Sequence, residues 1–409
     1  MTSHKTIAII GCGPAGLMAA NVLAEAGITV NMFDSMPSAG RKFIVAGKGG
    51  LNLSNAEKRE SFLMRYGENS QRFARFLDAF SQEDLCNFLC NIGVETFIGN
   101  SGRIFPKEAK APSILKNWLK KLERLGVIFH FHHKLQGFDP DSNPTFLLSD
   151  GSCLSFSCDA CILALGGASW PQTGSDGSWV SLLRKKDIDC KPFRPANCGV
   201  EVEWSEYFRT HFAGKPLKNL HLQCGETVAK GEAVITVYGL EGGGIYLLSK
   251  AIRDTLEKKC PAILMLDLKK DLSEEQILNK LLARNPKETL SNCLKKTLKL
   301  SGPSYSLLRE LCTPGQLSNP SELAQCIKML PVPVTKTRPL VEAISSAGGI
   351  SFAEVNNSLM LRKLPGVFVA GEMLDWEAPT GGYLLQGAFS TGFYAASGLL
   401  QWLQTDKKP

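Results

Sequence analysis

The first 34 residues of the chain carry a complete dinucleotide-binding fingerprint. Residues 6–10, TIAII, predict a short buried strand, and GCGPAG follows at once with glycines at positions 11, 13 and 16. A helical stretch then runs to Gly27, and a second predicted strand, ITVNMFD, ends at Asp34. A strand, GxGxxG, a helix, a strand and an acid in this order predict a Rossmann βαβ unit, and therefore an α/β fold.

Each part of the fingerprint has a physical role in holding a nucleotide. Gly11 makes the tight turn, Gly13 lets the backbone approach a pyrophosphate, and Gly16 lets the helix and the strand pack closely. The helix N-terminus offers free N–H groups to phosphates, and Asp34 can accept a hydrogen bond from a ribose hydroxyl. The predicted nucleotide contacts are Gly11, Gly13, Pro14, Ala15, Gly16 and Asp34.

The segment that follows Asp34 favours FAD over NAD. A simple NAD domain usually continues into another helix, whereas this chain has the long glycine-rich loop MPSAGRKFIVAGKGGLNLSN. Such a loop can wrap a large cofactor. A flexible surface loop is the alternative, but the apolar anchors FIV and LNL are not linker composition. The predicted cofactor contacts in this segment are Arg41, Lys42, Gly49, Gly50 and Asn52.

Two distant stretches predict the rest of an FAD site. The buried strand in LALGGASWPQTGSDG ends near Gly166 and Gly167, which leave room for the cofactor. Near the chain end, GVFVAGE is a strand followed by an acid that can reach the ribityl chain or the pyrophosphate. A long helix then begins at a glycine pair, and its first N–H groups can face the flavin N1/O2 edge, where negative charge develops on reduction. The predicted contacts are Gly371, Glu372, Gly381, Gly382, Tyr383, Leu384 and Leu385.

Residues from about 191 to 340 interrupt this α/β pattern. We predict an FAD-binding domain over 1–190 and 340–409, a β-rich subdomain over 191–270 with about 330–340, and a helical subdomain over 271–330. No second GxGxxG occurs in the chain, so a built-in NAD(P)H domain is not expected. Electrons would come from transiently bound NAD(P)H or from a protein donor.

Composition sets limits on location and partners. The thirteen cysteines follow no regular frame, which favours a reduced, cytoplasmic compartment. No apolar run reaches the roughly 18 residues of a membrane span, so we expect no membrane partner. His130 and His132 lack a completing ligand set, so no metal is predicted. The net charge of +7 permits RNA as a partner without requiring it.

Five stretches of the chain are similar to motifs of one bacterial flavoprotein family. They are GRKFIVAGKGGLNLSN, LALGGASWPQTGSDG, TVYGLEGGGIY, SSAGGISFAEV and LPGVFVAGEMLDWEAPTGGYLLQGAFSTG. Together they resemble the BaiN-type, aminoacetone-oxidase-like FAD flavoproteins, a family of NAD(P)/FAD-dependent oxidoreductases. The resemblance spans nearly the whole chain and implies a glutathione-reductase-type FAD domain with an inserted β-rich subdomain and a small helical one. Many members read GGGRCN where this chain reads GKGGLN at residues 47–52, which indicates a separate subfamily.

The resemblance also implies an activity. Relatives reduce an unsaturated steroid ring or a pyrimidine base of ribosomal RNA, so we expect hydride transfer from flavin N5 to a conjugated C=C bond of a small molecule or an RNA base. An amine-type oxidase that produces peroxide and an FAD-bearing RNA-binding protein are the alternatives. Tyr383 and Glu241 also have structural interpretations, as a packing residue and as a helix cap. The candidate catalytic residues are Tyr383, Lys48, Asn52, Tyr238 and Glu241.

Overall fold

The computed structural model describes residues 5–47, 50–108 and 110–405. Lys48 and Gly49, predicted above as a catalytic candidate and a cofactor contact, lie outside the described residues. The chain divides into two compact units, the first comprising residues 1–194 and 345–409 and the second residues 195–344.

The strands and helices alternate through the first unit and are interrupted by those of the second. The strands are β1 Thr6–Ile10, β2 Thr29–Phe33, β3 Ser54–Asn55, β4 Thr96–Ile98, β5 Arg103–Pro106, β6 Ile128–His130, β7 Lys134–Phe138, β8 Pro144–Leu147, β9 Cys153–Ser155, β10 Ala160–Leu163, β11 Cys190–Ala196, β12 Val200–Glu201, β13 Pro216–Cys224, β14 Thr227–Ile235, β15 Gly239–Glu241, β16 Ala262–Asp267, β17 Leu330–Val334, β18 Lys336–Thr337, β19 Ser345–Ile350 and β20 Val367–Val369. The helices are α1 Pro14–Glu25, α2 Arg41–Ala46, α3 Arg59–Met64, α4 Ser70–Ala79, α5 Gln82–Asn91, α6 Ala111–Arg124, α7 Trp179–Arg184, α8 Glu206–Phe212, α9 Gly243–Glu257, α10 Glu274–Leu282, α11 Leu290–Leu298, α12 Pro303–Leu311, α13 Pro314–Ser318, α14 Pro320–Lys328 and α15 Tyr383–Thr405.

A five-stranded parallel sheet forms the core of the first unit. Its strand order is β20-β10-β1-β2-β6, and every neighbouring pair is parallel. The central strands β1 and β10 are apolar along almost their whole length because helices cover both faces of a parallel sheet. The predicted α/β class with a Rossmann core is therefore confirmed.

Strand β20 shows how the end of the chain completes this sheet. Cys161, Ile162 and Leu163 of β10 pair with residues of β20, which lies some 200 positions later in the sequence. Helix α15 then packs on α1 so closely that a Cβ atom on Gly392 would lie 2.2 Å from the carbonyl oxygen of Ala15. The stretch around β20 and α15 is thus part of the same core as the N-terminal fingerprint.

Smaller sheets complete the first unit. Strands β3, β5 and β4 form one antiparallel sheet, and β7, β8 and β9 form another. Strand β11 pairs with β19. The sheet of β3 and β5 follows the predicted glycine-rich loop, so it fixes the far end of that loop.

The second unit has its own core. A seven-stranded sheet in the order β17-β16-β13-β14-β15-β12-β18 packs with helices α8 to α14 around a cluster of buried aliphatic residues. The β-rich and helical parts that we predicted separately share this cluster. Their division into two subdomains stays a proposal, as do the exact domain limits.

Three findings bear on membranes, metals and disulfides. Within residues 5–47, 50–108 and 110–405, no helix combines the length and the apolar character needed to cross a bilayer. In the same residues, no group of three or more His, Cys, Asp or Glu side chains could hold a metal ion. All thirteen cysteines are free thiols.

Candidate functional site

The turn between β1 and α1 can be formed only by glycine. Gly11 has φ +106°, and a Cβ atom there would lie 2.3 Å from the carbonyl oxygen of Ala164. A Cβ atom on Gly16 would lie 1.9 Å from the carbonyl oxygen of Gly11. These two glycines thus serve the tight turn and the close packing of helix on strand, as their positions in the fingerprint predict.

Gly13 faces open space, unlike its two neighbours in the fingerprint. It is the N-cap residue of α1, with an extended backbone (φ −83°, ψ −178°) and no side-chain capping bond. A Cβ atom at this position would meet no protein atom within 4 Å. The protein therefore forms an open cradle beside the uncapped N–H groups of a 12-residue helix, which is the environment that a diphosphate requires.

Asp34 holds its carboxylate on two backbone N–H groups. Oδ2 accepts from the Cys12 N–H at 2.8 Å, and Oδ1 accepts from the Met36 N–H at 2.9 Å. Burial nonetheless raises the pKa of Asp34, with the two N–H groups and the Arg41 charge acting in the opposite direction. Each oxygen retains a free lone pair, so the carboxylate is oriented to accept ribose hydroxyls.

The segment after Asp34 begins with a helix next to the fingerprint loop. Gly40 takes a left-handed conformation (φ +65°) and donates its N–H to the Cys12 carbonyl at 2.9 Å, after which α2 begins. Arg41 Nε and, further along, Asn52 Oδ1 are buried and have no hydrogen-bond partner among the described residues. Orphaned buried polar atoms of this kind are expected where a ligand supplies the partner. Gly50 lies on the same segment with φ +102°.

Lys42 connects this helix to the closing stretch of the chain. Its Nζ donates to Glu372 Oε2 at 2.8 Å and to Ser169 Oγ at 2.7 Å. Glu372 Oε1 in turn accepts from the Ser346 N–H at 2.8 Å. A Cβ atom on Gly167 would lie 1.9 Å from Ser346 Oγ, so that glycine makes room for the cluster. The structure thus brings Lys42, Gly167 and Glu372 together, as three of the predicted contacts.

The turn after β20 also touches the first turn of α1. Gly371 has φ +77°, donates its N–H to Thr391 Oγ1 at 3.0 Å, and would place a Cβ atom 2.9 Å from that of Ala15. Gly166, after β10, has φ +73° and accepts from the Trp179 indole N–H at 3.0 Å. These loops all leave the carboxyl ends of β1, β10 and β20, the edge where α/β sheets bind ligands.

Gly382, the second glycine of the pair before α15, has a structural role that the sequence did not indicate. We expected Gly381 and Gly382 to let the backbone approach a flavin ring. That approach stays a prediction, and a Cβ atom on Gly382 (φ +103°) would lie 2.4 Å from the backbone carbonyl of Ser54. Ser54 Oγ also donates to Gln386 Oε1 at 2.7 Å. Close packing of α15 on β3 is therefore sufficient to require this glycine, whatever the first N–H groups of α15 contact.

Tyr383, the first residue of α15, is largely enclosed by protein. Its ring packs on Phe62 with the centroids 4.9 Å apart, and its carbonyl oxygen accepts from the Tyr66 hydroxyl at 2.9 Å. Burial raises the pKa of Tyr383, and a hydrogen bond to Glu57 raises it further. The phenol therefore holds its proton. The next two residues, Leu384 and Leu385, are half-buried.

Tyr238 and Glu241 lie in the second unit and contact each other. The Tyr238 hydroxyl donates to Glu241 Oε2 at 2.5 Å, and the Arg338 guanidinium lies over the Tyr238 ring at 4.2 Å from its centroid. Burial, followed by the Glu241 hydrogen bond, raises the pKa of Tyr238. Gly242 is the N-cap of α9, so the interpretation of Glu241 as a helix cap is wrong. The candidate catalytic residues are thus divided between the units.

Four polar residues at this edge were not anticipated. Ser169, Ser346 and Thr391 are almost fully buried and bond to predicted cofactor residues, and Ser54 contacts the start of α15. Ser346 stands in SSAGGI, which forms a strand buried at every position. Two serines within a fully buried strand need hydrogen-bond partners, and the two serines beside an apolar stretch were visible in the sequence.

A family model described as the HI0933-like protein Rossmann domain matches residues 5–398. The chain belongs to the HI0933-like family. It is an FAD-dependent oxidoreductase, so the predicted family resemblance, cofactor and enzyme class are confirmed. The open cradle at Gly13, the oriented Asp34 carboxylate and the orphaned Arg41 Nε fit this cofactor.

Relatives of this HI0933-like enzyme match over almost their whole lengths. A 3-dehydro-bile acid delta(4,6)-reductase from Clostridium scindens is 26% identical, and the match covers 95% of this chain and 97% of that protein. A ribosomal RNA dihydrouridine synthase from Haemophilus influenzae is 22% identical, with coverage of 97% and 98%. A protein of the same name from Escherichia coli is also 22% identical, with coverage of 96% and 97%.

Solved structures share the fold of this HI0933-like enzyme. The open conformation of a flavocytochrome c3 fumarate reductase is 16% identical with a TM-score of 0.54, and the match covers 97% of this chain and 78% of that chain. A 3-ketosteroid-delta4-(5alpha)-dehydrogenase from Rhodococcus jostii is 14% identical with a TM-score of 0.50, covering 96% and 95%. At these identities the likeness shows the fold alone.

Proposed function

We propose that this enzyme reduces a conjugated C=C bond of a small molecule or an RNA base. The observation that carries the proposal is the match of two differently named reductive enzymes along nearly the whole chain. Both names denote the addition of two hydrogens to a ring double bond, in a steroid acid and in uridine. Both reactions act on the same type of bond, so the proposal covers the class of reaction. The substrate is either a small molecule or an RNA base.

The residues described above support a proposal for how FAD is held. Gly13 and the N–H groups of α1 would bind the diphosphate, and the Asp34 carboxylate would accept from a ribose hydroxyl. Gly11 and Gly16 shape the turn, with Pro14 and Ala15 beginning the helix. Further proposed contacts around the cleft are Arg41, Lys42, Gly50, Asn52, Gly166, Gly167, Gly371, Glu372, Gly381, Gly382, Tyr383, Leu384 and Leu385.

The protein's part in the reaction is to position groups and to hold a proton. When bound, FAD supplies a hydride from N5. The first N–H groups of the 23-residue α15 are proposed to favour negative charge at the cofactor edge. The Tyr383 hydroxyl donates to the half-buried Glu57 carboxylate, and Tyr383 stays a candidate for protonating the second carbon of the reduced bond. Asn52 stays a candidate for orienting the substrate, and the catalytic roles of Tyr238 and Glu241 stay predictions.

The remaining partners are proposals as well. The two ribosomal RNA enzymes among the relatives favour an RNA base as one substrate class, and the net charge of +7 is compatible with it. Transient NAD(P)H or a protein donor is proposed to supply electrons. The thirteen free thiols support a cytoplasmic location.

A reoxidation experiment tests the reaction class. Purified enzyme is reduced with dithionite without oxygen, and its flavin absorbance is followed after addition of a 3-keto-4,6-diene steroid or of ribosomal RNA lacking dihydrouridine. We expect one of them to restore the oxidised spectrum and to yield the saturated product. If neither does, and an amine instead bleaches the oxidised enzyme with peroxide released in air, the oxidase alternative replaces this proposal.

A further inference from the structure

The Lys42–Glu372 ion pair joins two distant parts of the chain at the cofactor edge. The first unit is built from residues 1–194 and 345–409, with the insert between them. Lys42 belongs to the first part and Glu372 to the second, and their charged atoms lie 2.8 Å apart. The side chains of Lys42 and Glu372 remain 28% and 17% exposed, so this pair is not sealed within the core.

Two serines connect this ion pair to two further segments of the chain. Ser169, in the loop after β10, accepts from Lys42, while Ser346, at the start of β19, donates its N–H to Glu372. The Ser346 hydroxyl also accepts from the Ala168 N–H at 3.1 Å. Both serines are at most 1% exposed, so their hydrogen bonds fix the orientation of the charged groups. The first turn of α2, the loop after β10, strand β19 and the turn after β20 therefore meet at one point.

This meeting point adjoins the nucleotide cradle on two sides. Gly40, two residues before Lys42, donates to the Cys12 carbonyl inside the GxGxxG turn. Gly371, next to Glu372, would place a Cβ atom 2.9 Å from that of Ala15 in the first turn of α1. A displacement of either charged residue would thus be transmitted to the segment that receives the diphosphate.

Lys42 also retains a hydrogen-bond donor. An ammonium group has three N–H donors, and two of them bind Glu372 and Ser169. The part of the chain that the structure describes supplies no third acceptor to Lys42. Because Lys42 is partly exposed, this donor is accessible to an anionic cofactor oxygen, and charge-assisted bonds of that kind to phosphate are common.

We propose that Lys42 and Glu372 form a latch that closes the two chain segments around the cofactor. Lys42 acts as a positioning residue for Glu372 and supplies one donor to the diphosphate of FAD. The inference rests on the proposed flavin site. It predicts that FAD affinity depends on the pair, whereas the folding of the apoprotein does not depend strongly on it.

A double-mutant cycle on FAD affinity tests the latch. The dissociation constant of FAD is measured by flavin fluorescence quenching on apoprotein of the wild type, Lys42→Met, Glu372→Gln and the double variant. We expect each single substitution to weaken binding by about tenfold or more, since charge-assisted bonds contribute on that order. The fold loss of FAD affinity in the double variant should be much smaller than the product of the two single-variant losses, because the two residues are coupled.

Lys5→Met is the matched control. Lys5 pairs with Asp159 at the same distance, 2.8 Å, but at the amino end of the same sheet. The FAD affinity of Lys5→Met should stay within about twofold of that of wild type, because surface ion pairs contribute little free energy. If neither the wild type nor Lys5→Met binds FAD, the proposed site is wrong. If both bind and Lys42→Met binds equally well, only the latch is wrong.

The melting temperature of the apoprotein separates a latch from a simple structural contact. If the pair is a latch, the melting temperature of Lys42→Met apoprotein stays close to that of wild-type apoprotein. Adding FAD then raises the melting temperature of the variant less than that of wild type. A lowered apoprotein melting temperature with an unchanged FAD dissociation constant would overturn the proposal. If Lys42→Met does not fold, Glu372→Gln carries the test alone, since glutamine keeps an acceptor for the Ser346 N–H.

Discussion

At the scale of single residues, the proposed role of Asp34 predicts that cofactor binding depends on pH. Its pKa is raised above the ordinary value of 3.8 because burial disfavours the charged carboxylate. Only the ionised form accepts from two ribose hydroxyls. FAD affinity should therefore fall as the pH falls through this raised pKa, and Asp34→Asn should weaken binding by about tenfold at neutral pH and remove the pH dependence. Fluorescence titrations between about pH 4 and pH 8 measure both effects.

Asp34 should affect the stability of the apoprotein in the opposite direction, because its ionisation favours FAD binding but opposes folding. A pKa that is higher in the folded state means that the ionised carboxylate opposes folding, and this cost sets in as the pH rises from 3.8 through the raised value. Apoprotein carrying Asp34→Asn should lack this pH-dependent cost, although the variant also loses one of the two oxygens that accept backbone N–H groups. A variant whose apoprotein stability or FAD affinity keeps the wild-type pH dependence contradicts the assigned role.

Residue spacing predicted the fingerprint but not the polar network around it. Gly11, Gly16 and Asp34 could be assigned because each must occupy a fixed position relative to one strand and one helix. Ser169 and Thr391 could not, because their partners are distant in sequence and lie close only after the sheet has formed. Glu372 was expected to bind the cofactor, and its pairing with Lys42 across 330 positions has no local signal.

At the scale of secondary structure elements, the contact of α15 with β3 gives a test of Gly382. Gly382→Ala should destabilise the protein by about 2–4 kcal/mol, since alanine is strained at φ +103° and its Cβ would collide with the Ser54 backbone. Chemical denaturation of apoprotein and FAD-bound protein should show similar losses. Gly315→Ala is the control, because Gly315 is an exposed helix residue whose nearest neighbour atom lies 3.9 Å from the built Cβ. A normal apoprotein stability in Gly382→Ala would contradict the packing role.

The elements that were predicted best are those with a strong local pattern. Strands β1 and β2 and helix α1 follow directly from the fingerprint, and α15 follows from a long apolar stretch after the glycine pair. The contact of Gly382 with Ser54 was not predicted, because the sequence contains no sign that these two residues would pack together. Contacts between elements of different sheets depend on tertiary packing, which local periodicity does not encode.

At the scale of the whole molecule, both chain segments of the first unit should be needed for FAD. A fragment ending at residue 344 lacks β19, β20 and α15, which leaves β10 without one of its two neighbouring strands and α1 without its packing partner α15. We expect this fragment to be insoluble or free of flavin. The matched fragment 195–344 has its own buried core and should fold without flavin. A soluble, flavin-loaded 1–344 fragment would contradict the two-segment site.

The flavin content of Gly13→Val tests the central claim, that FAD occupies the cradle at the start of α1. A Cβ atom at this position meets no protein atom within 4 Å. Beyond a capping effect of about 1 kcal/mol the fold should therefore be little affected, whereas the added side chain excludes the diphosphate. Wild type and the exposed-helix control Gly315→Val should purify with one non-covalent FAD per chain, and Gly13→Val should purify folded and colourless. A folded Gly13→Val protein with a full complement of FAD would show that the cofactor does not bind there.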